Sequence, residues 1–436
     1  MREDLVTLLR DEYDIPMELI VLAEEAESAL VDAFVRIDEI ADYNHTRLLK
    51  AFHRAGITDF HLNGSTGYGY GDTGREALEH VFADYFGCEA AVVRSQIMSG
   101  THALALGFYG LLRPGDELIS AAGPPYDTLA KIIGINASHD EAEDEGSLLQ
   151  AGVTYKEIPL SGTQEIIDLD KLISTISANT KMVFLQRSQG YHWRPALAID
   201  ELKRVIAAVK KAKRDVICLV DNCYCEMTQT VEPGAIGADL VIGSLIKNPG
   251  GTLAPCGGYI VGKKAYVQAC GARLLAPGLR MDMGASLGFS RQAFQGLFQA
   301  PHTVGQSLKG AMLASVVFSR LGYEVMPDVA QNGPAYDRVD IVQAVRLGSH
   351  EKLIAFCQAI QQACPLDSMY RPEPSMLPGY DHEVIMAGGG FIQGSSSELS
   401  ADGPLRPPYI AYLQGGFSLA QIRLGVLLAA KAVGLP

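Results

Sequence analysis

Several short segments of the chain carry residue types that could do chemistry on a small molecule. A turn of Ser99, Gly100 and Thr101 stands directly before an apolar helical run. Backbone N–H groups at such a helix start, with a glycine that allows close approach, favour an anion such as phosphate. Ordinary helix capping would account for the same residues equally well.

Three more side chains follow at turns further along the chain. Asp221 ends the apolar run VICLVDN, where a buried carboxylate needs a cationic or hydrogen-bonding partner, although a helix cap or a loop ion pair would explain it too. Lys247 in GSLIKNPGG could be a Schiff-base nucleophile once partly desolvated, whereas most loop lysines are simply solvated. Tyr126 in GPPYDTL could stack on a flat ring or pack in the core.

A largely parallel sheet would place these residues. Helical patterns at 99–112 and 198–213 lie between apolar or β-branched runs, and such alternation predicts a mostly parallel sheet covered on both faces. Ligands of such sheets lie at the carboxyl ends of the strands. The seven predicted strands are AAVVRS (90–95), ELISA (117–121), VTYKEIPL (153–160), KMVFLQR (181–187), VICLVDN (216–222), DLVIGS (239–244) and GYIVG (258–262). Residues 1 to about 60 are predicted to be helical, and the acidic segment 139–146 is typical of a solvated loop.

Composition excludes several classes of protein. The 436 residues are 48% hydrophobic and 20% charged, which is typical of a globular chain with a large core rather than a disordered or fibrous one. The net charge of −14 disfavours nucleic-acid partners, and no apolar run approaches membrane-spanning length. The charged start of the chain and eight sparse cysteines favour a cytoplasmic protein. Cys223 and Cys225 have no second pair at zinc-ligand spacing, so we expect no metal.

The order of these segments resembles that of pyridoxal-phosphate enzymes of the aspartate aminotransferase fold type. SGTHA with Tyr126 downstream, VDN, SLIK followed by glycines, and IRLGV are similar to the cystathionine and methionine γ-lyase family. FLQRSQGYHWRP, GASLGFSRQAFQGLFQAPHTVGQSLKGA and GGFSLAQIRLGV resemble its aluminium-resistance branch. The resemblance covers roughly residues 60 to 430. It implies an α/β protein of the pyridoxal-phosphate-dependent transferase fold type I, with an N-terminal helical arm (1–60), a large domain (61–302) on a seven-stranded mostly parallel sheet, and a smaller C-terminal α+β domain (303–436).

The resemblance also implies roles for individual residues. Lys247 would bind pyridoxal 5′-phosphate through a Schiff base and then move the Cα proton, while Asp221 would keep the pyridine nitrogen protonated. Tyr126 would stack on the ring and could protonate a leaving group. Arg423, in an apolar and strand-like run, would form a bidentate pair with the substrate α-carboxylate. The phosphate would be held by Ser99, Gly100, Thr101 and Ser244.

Two loops depart from the family pattern. In related lyases a loop of the neighbouring subunit gives a Tyr and an Arg to the phosphate, and the loop here offers Tyr68 or Tyr70, with Arg75 offset. A homo-oligomer, dimer or tetramer, with shared active sites is therefore implied. QRSQGYHW stands where an asparagine-bearing loop would contact the cofactor 3-oxygen, so Arg187 and Ser188 are candidates for that contact.

The resemblance fixes the cofactor more closely than the reaction. We expect a carbon–sulfur lyase that eliminates from a sulfur-containing amino acid at the β or γ position and releases a keto acid, ammonia and a thiol. An aminotransferase, an aldol-type lyase, a γ-replacement enzyme or a non-catalytic cofactor-binding protein stays open. A dinucleotide-dependent oxidoreductase is disfavoured because GYGYGDTG does not follow a strand that opens a βαβ unit.

Overall fold

The structure is a computed structural model. It describes residues 1–135, 146–160, 166–279, 281–333 and 336–435. The predicted acidic loop at 139–146 lies, except for Gly146, outside the described residues. The helices are α1 (Glu3–Tyr13), α2 (Met17–Ala29), α3 (Val31–Arg54), α4 (Thr73–Phe86), α5 (Gly100–Leu111), α6 (Asp127–Ile133), α7 (Leu169–Thr175), α8 (Ile199–Ala212), α9 (Lys264–Leu274), α10 (Phe289–Arg320), α11 (Val329–Asn332), α12 (His350–Gln362) and α13 (Leu419–Val433).

The strands belong to two sheets, in two compact units of the chain. The strands are β1 (Ala90–Arg94), β2 (Glu117–Ser120), β3 (Thr154–Glu157), β4 (Thr180–Gln186), β5 (Ile217–Asp221), β6 (Leu240–Ser244), β7 (Gly258–Gly262), β8 (Glu324–Met326), β9 (Gln343–Arg346), β10 (Val384–Ala387), β11 (Ser400–Pro404) and β12 (Ile410–Gln414). One unit comprises Asn44–Gly190 and Ala196–Phe298, and the other comprises Met1–Tyr43, Tyr191–Pro195 and Gln299–Pro436. Compact units do not by themselves fix domain borders, so the predicted division at 60 and 302 stays a prediction.

The first unit is built on the seven-stranded sheet that the sequence predicts. Its strand order is β1-β7-β6-β5-β4-β2-β3. Strands β2 to β6 are parallel, while β7 runs antiparallel to both β1 and β6. Strands β5 and β6 are buried along their whole length, which explains their continuous apolar sequence. All seven predicted strands are confirmed, and the carboxyl ends of β4, β5 and β6 meet at one edge.

Local sequence signals place the helices around this sheet. Ser99 caps α5 through its hydroxyl, which accepts from the His102 N–H. Helix α8 buries Leu202, Val205, Ile206 and Val209, the spacing of one apolar helix face. Helix α5 packs against β6 and β7 and begins beside the carboxyl end of β6.

The second unit contains a five-stranded antiparallel sheet of order β10-β11-β12-β9-β8. The interpretation of IRLGV as strand-like is wrong, because this segment lies within α13. The helix buries Ile422, Val426, Ala429 and Val433, so the apolar run has helical rather than alternating spacing. Within the described ranges, no helix combines the length and the apolar character that a bilayer crossing requires.

Candidate active site

The carboxyl edge of the seven-stranded sheet brings three predicted site residues together. Asp221 is the last residue of β5 and Ser244 is the last residue of β6. Lys247 lies in the turn after β6, directly before the 3₁₀ turn Asn248–Gly250. Because β5 and β6 are parallel neighbours, these residues converge although the chain separates them.

Lys247 points its amine at an aromatic ring. Its Nζ lies 3.6 Å from the centroid of the Tyr224 ring. Burial favours the neutral amine, but the surrounding Cys223, Tyr224 and Asp221 outweigh it and raise the pKa of Lys247 above its ordinary value. The free side chain is therefore a half-buried cation that lies on a π face and interacts electrostatically with the buried Asp221.

Asp221 is buried with little from the protein to balance it. Its side chain is 7% exposed, and Oδ1 accepts the Cys223 N–H at 3.1 Å. Burial raises the pKa of Asp221, although the charge of Lys247 opposes that rise. Among the described residues no cation lies within 4.0 Å of its carboxylate. Such a group can accept a proton or an N–H from a bound molecule.

The start of α5 lies against the end of β6. A Cβ on Gly100 would come within 3.3 Å of the Cys223 Sγ and 3.4 Å of the Ser244 Cβ. Thr101 Oγ1 is 2.9 Å from Thr128 Oγ1, which ties the first turn of α5 to α6. The glycine therefore keeps the first turn of a twelve-residue helix close to Ser244, an arrangement that suits a phosphate.

Gln186 organises the loops that carry Tyr126 and Ser188. Its Oε1 accepts the Tyr126 N–H at 3.0 Å, and its Nε2 donates to the Ser188 carbonyl at 3.4 Å. Gln186 stands opposite Asp221 in the register of β4 and β5. Sequence analysis missed this residue, although its place at the end of a predicted parallel strand was a usable signal.

Arg187 is buried and makes its hydrogen bonds within the protein. This fully buried side chain donates to the Leu197 carbonyl at 3.1 Å, to Asn222 Oδ1 at 2.8 Å and to Gln229 Oε1 at 2.7 Å. These bonds weigh against the suggested contact with the cofactor 3-oxygen and leave Ser188, itself buried, as the other candidate.

Tyr224 and Cys223 were not assigned to the site by sequence reasoning. Both follow VDN directly, and Tyr224 adopts a positive φ of 70°, which turns the chain back toward Lys247. The interpretation of Cys223 and Cys225 as buried thiols is confirmed, since both are free and buried. Among the described residues no group of three or more His, Cys, Asp or Glu side chains could hold a metal ion.

The glycine-rich loop presents its tyrosines to solvent. Tyr68 and Tyr70 are 68% and 65% exposed. Arg75 is buried instead and donates to the carbonyls of Gly69 at 2.7 Å and Gly284 at 2.8 Å. Arg75 therefore shapes the loop from within, and the tyrosines are the residues that could reach another molecule.

Arg423 belongs to the other unit. It lies on α13, where its Nη2 donates to the Glu27 Oε2 of α2 at 3.1 Å and its Nε donates to Oε1. The guanidinium is half-buried and already has a bidentate carboxylate partner within the chain.

The chain is similar to known proteins along nearly its whole length. Residues 19–434 match the model of the methionine gamma-lyase family. The protein YnbB of Bacillus subtilis is 44% identical over 413 residues, which cover 94% of this chain and 95% of that protein. A crystal structure from Clostridium novyi NT, described as a carbon-sulfur lyase involved in aluminium resistance, is 40% identical, covers 100% of both chains and has a TM-score of 0.92.

A more distant structure shares the fold alone. The protein YhfS of Escherichia coli, described as pyridoxal-5′-phosphate dependent, is 17% identical to this chain. The alignment covers 91% of this chain and 97% of that chain, with a TM-score of 0.57. The fold of the described residues is therefore that of the type I pyridoxal-phosphate enzymes.

Proposed function

The chain belongs to the methionine gamma-lyase family, and from this membership we propose that it is a carbon–sulfur lyase acting on a sulfur-containing amino acid. The family uses pyridoxal 5′-phosphate, and that is the cofactor of this chain. The reaction is an elimination at the β or γ position that releases a keto acid, ammonia and a thiol. The observation that carries the proposal is the convergence of Lys247, Asp221 and the start of α5 at one sheet edge.

The residues at this edge fit the cofactor group by group. Gly100 leaves the space that a Cβ would fill beside Ser244, which suits the phosphate at a helix N-terminus. Asp221 supplies an acceptor for the protonated pyridine nitrogen. Lys247 supplies the amine that an aldehyde requires, and Tyr126 stands on the neighbouring loop, with its backbone held by Gln186.

The cofactor, when bound, withdraws electrons from the substrate Cα and so makes its proton acidic. Asp221 would stabilise the positive pyridine nitrogen, because a buried carboxylate interacts strongly with a ligand charge. Lys247 Nζ, neutral when the substrate amine replaces it on the cofactor, would take the proton from Cα. The Tyr224 ring then stabilises the resulting ammonium through a cation–π contact.

Two further side chains act on the substrate and on the cofactor ring. Tyr126 would stack on the ring and its hydroxyl would protonate the departing thiolate, while Gln186 holds the backbone of its loop. Ser188 is the candidate that contacts the 3-oxygen, and Ser99 acts through its cap on α5. A substrate carboxylate reaching Arg423 would have to replace Glu27, so that contact stays a prediction.

We also propose that two copies of the chain complete each other's sites. Tyr68 and Tyr70 are exposed on a loop whose shape Arg75 fixes, so they are free to enter a neighbouring copy and bind its phosphate. Light scattering should give at least a dimer. Replacing both tyrosines by phenylalanine should weaken cofactor binding several-fold without changing the oligomeric state. A monomeric holoprotein with full cofactor affinity would contradict the proposal.

Product analysis tests the reaction directly. The purified holoprotein is incubated with amino acids that carry a thioether or thiol at the β or γ carbon, and keto acid, ammonia and thiol are quantified. A lyase gives the three products in equal amounts, and pyruvate or 2-oxobutanoate distinguishes β- from γ-elimination. An aminotransferase gives no free ammonia and turns over only with a keto-acid acceptor. The Lys247→Ala variant is the matched negative control.

A further inference from the structure

A second acidic side chain is buried behind the lysine turn and is not used in the mechanism above. Glu226 is fully buried, and its Oε1 accepts from the Tyr259 hydroxyl at 2.9 Å. Its Oε2 is buried and has no hydrogen-bond partner among the described residues. A half-satisfied buried carboxyl group lowers the stability of the fold. Its presence here therefore indicates a role beyond packing.

Glu226 contacts both ends of the segment that carries Lys247. Asn248, the residue after Lys247, donates its Nδ2 to the Glu226 carbonyl at 2.9 Å. A Cβ on Gly243, the residue before Ser244, would come within 2.6 Å of the Glu226 Oε1. Only glycine at this position lets the carboxyl group pack so closely against β6, so the lysine turn rests on Glu226 from two sides.

The surroundings keep a proton on this carboxyl group at neutral pH. Burial is the main cause that raises the pKa of Glu226, to about 8, and the charge of Glu232 raises it further. The Tyr259 hydrogen bond and the charge of Lys247 act in the opposite direction. Cys223 also lies close enough to Glu226 for their charges to interact. Glu226 therefore changes charge within the range in which enzymes are ordinarily assayed.

We propose that Glu226 is a positioning residue that supports the Lys247 turn and sets the charge carried by Nζ and by its bond to the cofactor. The inference rests on the proposed function, because it assigns Glu226 a role toward the cofactor lysine. When Glu226 is protonated, it adds no charge behind Nζ. When it loses its proton, the buried negative charge favours a positive Nζ.

A spectral pH titration of the holoprotein tests the inference. The absorption of the bound cofactor reports the protonation of its bond to Nζ, and Glu226→Gln keeps the side-chain volume and the acceptor for Tyr259. We expect the spectral transition of Glu226→Gln to lie about one pH unit below that of the parent protein. Tyr259→Phe removes the donor that favours the ionised carboxylate and should shift the transition in the same direction, by less.

The controls separate this inference from the proposed function. Asp239→Asn changes a buried acid at the opposite end of the sheet and should leave the transition in place. A parent protein that binds no cofactor would overturn the proposed function. Parent-like transitions in both variants, with the cofactor bound, would overturn the role of Glu226 alone. If Glu226→Gln does not fold, the Tyr259→Phe shift decides, and its absence overturns the inference.

Discussion

Two buried aspartates stand at opposite ends of the central sheet and differ in how their charge is balanced. Asp239 precedes β6, and its carboxylate lies 2.5 Å from Lys210 Nζ and 2.6 Å from Lys263 Nζ. Asp221 ends β5, and within the described part of the chain its carboxylate accepts hydrogen bonds from Cys223 alone. Both side chains are nearly inaccessible to solvent.

The difference separates an acid that stabilises the fold from one kept for a ligand. Two lysines neutralise Asp239, so its burial is compatible with a stable protein. Asp221 keeps an incompletely balanced carboxyl group at the sheet edge that carries Lys247, and the folded state bears that unfavourable free energy. Variants at the two ends of the sheet should therefore differ in both activity and stability.

The largest effect is expected from the lysines at the two ends. Lys247→Ala should abolish covalent cofactor binding and lower turnover by at least about 10³-fold, because it removes both the anchor and the base. Lys263→Ala, at the amino edge, should keep turnover within a factor of about two while lowering stability slightly. Steady-state kinetics of the two variants check this. Equal losses of turnover in the two variants would show that the two ends of the sheet do not differ in function.

Replacing each aspartate by asparagine should give opposite patterns: Asp221→Asn should lower activity but not stability, and Asp239→Asn should lower stability but not activity. Asp221→Asn should lower turnover by about 10²-fold and leave the free energy of unfolding of the cofactor-free protein equal or higher, because a buried charge is removed. Asp239→Asn should keep turnover but lower that free energy by about 2 kcal/mol, because two lysines lose their partner. Urea unfolding and kinetics on both variants check the pair. A stability loss in Asp221→Asn larger than in Asp239→Asn would contradict the account.

The carboxyl edge should also make stability depend on pH. The pKa of Glu226 rises from 4.5 to about 8 on folding, so the folded protein binds more protons than the unfolded chain between these values. The stability that this proton uptake contributes is full below pH 4.5 and is lost as the pH rises through about 8. Between pH 5 and pH 8 the cofactor-free parent should therefore lose at least about 1 kcal/mol more than Glu226→Gln.

A carboxylate with the opposite shift is the matched control. Burial opposes the ionised form of Glu117, but hydrogen bonds from Lys156, Thr180 and Ser177 outweigh it and lower its pKa below the ordinary value. Glu117→Gln should therefore leave the slope of stability between pH 6 and 8 unchanged. Urea midpoints measured at each pH check both variants. Parallel curves for the parent and Glu226→Gln would contradict the buried, protonated state of Glu226.

The smallest effect concerns the ion pair of Arg423 with Glu27. Removing either partner should lower the free energy of unfolding by about 1 kcal/mol, since the pair is only half-buried. A double-mutant cycle measures the coupling. A substrate KM that rises at least tenfold in Arg423→Ala but not in Glu27→Gln would establish the predicted α-carboxylate contact. If the KM is unchanged in both Arg423→Ala and Glu27→Gln, the ion pair only stabilises the fold and Arg423 does not bind the substrate.

The sequence predicted correctly those site residues whose position depends on the order of the strands. Lys247, Asp221 and Ser244 lie at ends of parallel strands, so their convergence follows from the pattern of apolar runs. The strand-like interpretation of IRLGV failed, because so short an apolar run does not distinguish a strand from a buried helix face, whereas the substrate contact of Arg423 stays a prediction. Gln186 was missed because its role depends on the register of β4 against β5, which the sequence does not specify.

The contacts near the lysine turn were beyond sequence reasoning for a related physical reason. The approach of Tyr224 to Lys247 depends on the positive φ of Tyr224 itself. No local sequence motif predicts this conformation for a residue other than glycine. The burial of Glu226 against Gly243 depends on packing between distant segments of the chain. A sequence identifies which residues could react, whereas the environment that sets their charge comes from tertiary packing.

Borohydride reduction of the coloured holoprotein, followed by peptide mass spectrometry, identifies the lysine that holds the cofactor. Reduction fixes the cofactor to whichever amine holds it. We expect one pyridoxyl adduct, on Lys247, and no adduct in Lys247→Ala. An adduct on another lysine, or a protein that stays colourless with added pyridoxal phosphate, would contradict the assignment of Lys247 and of the sheet edge that positions it.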